Sequence, residues 1–198
     1  YLMIIKYKKK TNHHYNKLLK INGLNLKGLG WGKGKLQLRY NIFYKHLNFE
    51  NKKVLDFGCG LGSFYSFLHN KKIKTKKFYG IEINKILISH LKNKFKNKVI
   101  ISDKLPDNSK VDISISNGVH NFRLKNNLKI FYKDINNLLN ITKECVAISF
   151  INDNVDYREK HLSYKSLFNV IKFIRNKKLD YIIDQTFNKY ETFLFIFK

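Results

Sequence analysis

A parallel α/β sheet with helices on both faces, closed at one edge by an antiparallel hairpin, is the fold the sequence predicts. Three observations lead there. Strand-like and helix-like segments alternate from residue 53 onward, a glycine bend (GCGLG) joins the first strand to the next helix, and the last two strand-like runs lie too close for a helical crossover.

Before the first strand, Leu36, Tyr40, Phe43, Tyr44 and Leu47 share one face at helical spacing, and GLGWGKGK ahead of them reads as a glycine-rich turn. Lys53 to Phe57 is a short buried strand, and Ser63 to Leu68 opens a helix directly after the glycines. FYGIEI (78–83) is the second strand, Asn84 caps a helix carrying Leu87, Ile88, Leu91 and Phe95 inward, and VIIS (99–102) is the third. VDISIS (111–116) is the fourth, followed by a helix with Leu128, Phe131, Tyr132, Ile135, Leu138 and Leu139 inward, then ECVAISFI (144–151) as the fifth. Ser166 opens a last helix with Leu167, Ile171 and Ile174. DYIIDQTF and ETFLFIFK close the chain as a hairpin turning at residues 188–190.

The 198 residues suit a single domain, 1–198, divided into an N-terminal helical extension (1–50) and the α/β core (51–198). Two distant cysteines, Cys59 and Cys145, give no disulfide framework and suit a cytoplasmic protein, as does an N-terminus with only a short apolar patch and no run long enough to span a bilayer. His13 and His14 are adjacent, with no other His or Cys at ligand spacing, so no metal site is expected. The formal charge of +25 points toward polyanions. Its lysines are scattered, however, through KYKKK, KKIKTKK, LKNKFKNK and RNKK, and they accompany the Asn, Ile, Tyr and Phe that adenine- and thymine-rich codons supply. A solvated basic surface is the simpler reading.

The chemistry concentrates in VLDFGCGLGSF, residues 54–64. Asp56 precedes Gly58, Gly60 and Gly62, whose bare backbone lets a ligand approach, and Glu82 at the end of the second strand is placed for two ribose hydroxyls. An adenosine-bearing cofactor follows. A carboxylate at Asp56 would oppose a pyrophosphate at the helix N-terminus, which weighs against a nicotinamide dinucleotide, and would favour a ligand bearing an ammonium and a sulfonium.

VLDFGCGLG resembles the first motif, D-x-G-x-G-x-G, of class I S-adenosylmethionine-dependent methyltransferases; YGIEIN and IISD resemble the second and third. GWGKGKLQLRY, SNGVHNF, VDYREKHLSY and YETFLFIF are similar to segments of a bacterial branch of small methyltransferases, although Lys165 and Ser166 stand where an acidic residue and a proline would open the last helix. The resemblance implies a Rossmann-like, doubly wound, seven-stranded, mostly parallel sheet whose last strand is antiparallel. It implies S-adenosylmethionine as cofactor, with Glu82 on the ribose and Asp103 against the adenine amino group.

Around that core, Asn117 at the end of the fourth strand joins the cofactor residues, and Gln37 and Arg39 are candidates for the cofactor carboxylate. His120 is the candidate general base, against a purely packing role. Asn121, with Asp156, Tyr157, Arg158 and Tyr164 of the polar stretch after the fifth strand, are candidate substrate contacts; Trp31 either closes over the ligand or anchors the core. In-line methyl transfer asks mainly for alignment and exclusion of water and needs no metal. The expected reaction is methyl transfer to a small-molecule acceptor by a monomer or homodimer. The alternatives are an RNA or other nucleic-acid methyltransferase, a basic nucleic-acid binder, and an NAD-dependent oxidoreductase or catalytically silent nucleotide-binding subunit.

Overall fold

The computed structural model describes residues 2–32, 34–105 and 110–198, with side chains from residue 7 onward. Lys33 of the glycine-rich turn and Pro106 lie outside the described residues. Among the described residues seven strands form one sheet: β1 (Lys53–Phe57), β2 (Lys77–Ile81), β3 (Ile100–Ser102), β4 (Val111–Asn117), β5 (Thr142–Ile151), β6 (Tyr181–Asp184) and β7 (Glu191–Phe197). Their order is β3-β2-β1-β4-β5-β7-β6, and β7 alone runs antiparallel, inserted between β5 and β6. This is the doubly wound arrangement with a reversed final strand that the alternation and the short last connection predict.

Among the described residues six α-helices accompany it: α1 (Leu2–Asn22), α2 (Lys35–His46), α3 (Ser63–Asn70), α4 (Lys85–Phe95), α5 (Asn127–Ile141) and α6 (Leu167–Arg175). Side chains of a strand alternate between faces, so ETFLFIF splits its apolar run between two cores. Phe193 and Phe195 join Phe43, Phe64 and Leu91 of α2, α3 and α4 on one face; Leu194 and Ile196 join Phe131, Ile135 and Ile174 of α5 and α6 on the other. Every residue of β7 before Phe197 is buried, as a strand covered on both faces requires.

Local signals act as the sequence suggests. The Asn84 side chain accepts from Ile86 N at 3.0 Å and Leu87 N at 3.4 Å, capping α4, and the Ser166 hydroxyl accepts from Asn169 N at 3.4 Å, capping α6. Three details differ. Leu128, expected inward, is exposed because it sits in the first turn of α5, and Ile130 is buried in its place. Tyr44 also faces outward, with the Lys71 ammonium over its ring. The hairpin connection is longer than three residues: β6 ends at Asp184, whose carboxylate takes Thr186 N at 2.8 Å and turns the chain early, and the Asn188 side chain accepts from Tyr190 N and Glu191 N to turn it again.

Strand order reverses between β1 and β4, so the crevice beyond their carboxyl ends is where a doubly wound sheet takes a ligand. α1 lies over that crevice. Its Asn12 donates to Ile83 O at 3.1 Å, its Asn16 accepts from the Asn84 side chain at 2.7 Å, and Lys8 donates to Asp103 O at 3.3 Å. Among the described residues, no helix is long and apolar enough to cross a membrane.

Candidate functional site

A cavity of about 470 Å³ opens at this switch point, walled by the bend after β1, the ends of β2 and β4, and helices α1 and α5. Gly58 N and Cys59 N both donate to Ile81 O, at 2.8 and 3.0 Å, which folds the bend back against β2. Gly60 has φ +55°, and a Cβ there would lie 2.8 Å from Leu29 Cδ1, so a side chain would be both strained and crowded.

Glu82, directly after β2, is buried and accepts three backbone N–H groups: Gly60 at 3.0 Å on one oxygen, Ile83 at 2.7 Å and Asn84 at 2.9 Å on the other. Burial raises its pKa and these three donors pull it back. Asp56, the last buried residue of β1, is also enclosed, but its carboxylate has no hydrogen-bond partner among the described residues. Burial, and secondarily the neighbouring Glu82, push it up to about 8. Four of the fourteen acidic residues, Asp56, Glu82, Asp103 and Asp134, line this one cavity of a strongly basic chain. Lys8, Lys104 and Lys133 share that lining, so the acids there favour a positively charged ligand only in their ionised forms.

The structure brings Asp56, Gly58, Gly60, Glu82, Asp103 and Asn117 together on the lining, with Trp31. Asn117 is fixed by Ser149, whose hydroxyl donates to its Oδ1 at 2.9 Å and accepts from Gly118 N at 3.0 Å. Gly62 is not on the lining. It caps the start of α3 at φ +67°, and a Cβ there would meet Phe95 at 2.3 Å, so its bareness serves helix packing.

The remaining candidates lie elsewhere. Gln37 is exposed on α2. Arg39 is buried in an ion pair with Glu191, its guanidinium between the rings of Trp31 (4.6 Å) and Phe187 (4.7 Å), where it joins α2 to β7; it is not on the cavity lining. His120 is buried behind the lining against Phe131, and burial, with Lys165 nearby, pushes its pKa down to about 3; an imidazole there is a poor proton acceptor at neutral pH. Asn121 accepts from Ile151 N at 3.3 Å and tethers the loop after β4 to β5. Asp156 is exposed and pairs with Lys189 at 3.0 Å, Tyr157 is 76% exposed, and Tyr164 accepts from Glu159 N at 2.8 Å with Arg158 over its ring. None of these four lines the cavity, because the β5–α6 connection folds on itself and on the β6–β7 turn.

Sequence reasoning missed the contribution of α1 and α5. Tyr7, Thr11 and Tyr15 of α1 and Asp134 of α5 all line the cavity. The available signal was a stripe at four-residue spacing, Tyr7-Thr11-Tyr15, in a helix otherwise rich in lysine. Among the described residues, no group of three or more His, Cys, Asp or Glu side chains is arranged to hold a metal ion.

No protein-family model and no curated protein matches the chain in sequence. Solved structures match it in fold. A chain of the Pnkp1/Rnl/Hen1 RNA repair complex is 14% identical with a TM-score of 0.64, over 84% of this chain and 42% of that one. An S-adenosylmethionine-dependent methyltransferase from Aquifex aeolicus is 17% identical with a TM-score of 0.62, over 92% and 97%. The 1,6-didemethyltoxoflavin-N1-methyltransferase of Burkholderia thailandensis, solved with 1,6-didemethyltoxoflavin and S-adenosylhomocysteine, is 12% identical with a TM-score of 0.63, over 94% and 90%. At these identities the likeness is one of fold.

Proposed function

We propose that this chain is a class I methyltransferase that takes the methyl group of S-adenosylmethionine to a small-molecule acceptor. The observation that carries the reading is the unpartnered, buried carboxylate of Asp56 beside Glu82 at the glycine bend. A site that keeps two acids where a dinucleotide would place its pyrophosphate suits a phosphate-free, positively charged nucleoside. When bound, S-adenosylmethionine supplies a methyl carbon already activated by its sulfonium. The chain's own part is positional: Gly60 leaves room along the backbone, Glu82 receives the ribose hydroxyls, Asp56 faces positive charge, and Asp103 and Asn117 flank the nucleoside. α1 lies across the cavity, pinned by Asn12 and Asn16 to the chain after β2.

The fold likeness to small-molecule and RNA-repair proteins leaves two acceptor classes, and a cavity recessed beneath α1 favours the smaller. The nucleic-acid reading draws on the +25 charge and on the gathering of Lys74, Lys76, Lys77 and Lys98 around a depression at the opposite, amino-terminal end of β2 and β3. Methyl-labelled cofactor incubated with a small-metabolite extract and, separately, with total RNA discriminates them. Label entering the small molecules supports the proposal; label entering RNA alone overturns its acceptor class.

A further inference from the structure

Beneath α1 the cavity has a second polar wall that cofactor binding leaves unassigned. Tyr7, Thr11 and Tyr15 stand on one stripe of α1, and α5 turns Ile130, Asp134 and Asn137 toward the same cavity. The Asp134 side chain is only 18% exposed, and its carboxylate makes no hydrogen bond among the described residues. His120 Nε2 is 3.7 Å from it, too far for a hydrogen bond. The Thr11 hydroxyl is buried and has no partner either. A buried polar group without a partner is rare in folded proteins, and the Thr11 hydroxyl, with the half-buried, unbonded Asp134 carboxylate on the same cavity, points to a ligand that completes them. The surroundings give Asp134 the properties of a proton acceptor: burial pushes its pKa up to about 7, with Lys133 pulling it back, and Tyr7 lies close enough for its phenol to feel the Asp134 charge.

We infer that this wall holds the methyl acceptor, and that Asp134 takes a hydrogen bond from the acceptor's hydroxyl or amine. The inference rests on the methyltransferase reading and narrows its substrate class to small molecules that present an O–H or N–H donor. A carboxylate or phosphate directly against Asp134 would stand beside a like charge, even with Lys133 on the same lining. As the acceptor's oxygen or nitrogen forms its bond to the methyl carbon, the C–S bond breaks with its electron pair left on sulfur, and the acceptor's proton passes to the Asp134 carboxylate.

Three fragments with one ring and different polar groups test this: phenol, benzylamine and benzoate, titrated by NMR into protein saturated with S-adenosylhomocysteine. The expected result is that phenol or benzylamine binds at least about tenfold more tightly than benzoate, and that Asp134→Leu abolishes the preference while holding S-adenosylhomocysteine within about threefold of wild type. Asp134→Asn, nearly isosteric, gives an intermediate preference and serves if the leucine variant unfolds. Equal binding of the three fragments, absence of binding by both donors, or a preference that survives Asp134→Leu overturns the inference. A loss of about tenfold or more in S-adenosylhomocysteine affinity in both variants also overturns it, by making Asp134 a cofactor contact. Failure of the wild-type protein to bind S-adenosylhomocysteine is a distinct outcome that removes the methyltransferase reading together with the inference.

Discussion

Glu82 accepts the backbone N–H of Gly60 at 3.0 Å with one carboxylate oxygen and those of Ile83 and Asn84, at 2.7 and 2.9 Å, with the other. One side chain therefore holds the bend after β1 and the start of α4 in register, and it does so on the wall of the cavity. On the proposed reading, ligand binding and local stability are coupled through it.

Glu82→Ala leaves three backbone donors without their carboxylate, and the protein should lose about 2–4 kcal/mol of stability in chemical denaturation. S-adenosylhomocysteine affinity should fall at least about tenfold at a temperature where the variant remains folded. Glu82→Gln, which keeps acceptor capacity on one side, should lie between. A stable variant with wild-type affinity would contradict the coupling.

Asp56 gives the binding reaction a pH dependence of definite sign. Its carboxyl is pushed from 3.8 up to about 8 in the ligand-free fold, so between those values the folded state holds a proton that the unfolded state has lost. Ligand-free stability from this group is full below 3.8 and declines as pH rises through 8. A cationic ligand favours the ionised form, so its affinity should tighten as pH rises toward 8 and proton release should accompany binding. Calorimetry in buffers of different ionisation enthalpy reads the release directly. Asp56→Asn should abolish it.

Arg39 tests a structural role against a ligand-binding one. Its ion pair with Glu191 is buried, and Arg39→Met leaves that carboxylate uncompensated, at a cost of about 3 kcal/mol. The affinity of the folded variant for S-adenosylhomocysteine should stay within about threefold of wild type. A large loss of affinity without loss of stability would return Arg39 to the binding site.

His120 should limit acid stability rather than turnover. Its folded pKa of about 3 lies below the ordinary 6.5, so the unfolded state takes up a proton first. The stability this group contributes is full above 6.5 and falls as pH drops toward 3. His120→Phe, which suits the contacts with Phe57 and Phe131, should shift the acid unfolding midpoint downward and leave methyl transfer near the wild-type rate.

What the sequence made legible was chiefly what adjacent residues decide. The strand-bend-helix order around Asp56 and Gly60, the Asn84 cap and the two-faced apolar run of β7 all follow from short-range pattern, and each appears where its residues placed it. The acid of β2 and the bend after β1 were also readable, because a doubly wound sheet fixes where consecutive strands end. Contacts between segments distant in sequence were not. Arg39 and Glu191 are 152 residues apart, and no local signal tells an exposed helix arginine from one buried against β7. The polar loop before Tyr164 looked like a pocket wall from its composition, yet Asp156 and Tyr164 spend their polar groups on Tyr190 and Glu159. Conversely, the α1 stripe gained meaning only once Asn12 and Asn16 were seen to pin that helix over the ends of the strands.

Isothermal titration of the wild-type protein with S-adenosylhomocysteine, set beside NAD, tests the central claim most directly. The account predicts saturable binding of S-adenosylhomocysteine at one site per chain, weakened by Asp56→Asn and by Glu82→Ala, and no heat from NAD. No binding of S-adenosylhomocysteine, or equal binding of NAD, would contradict it.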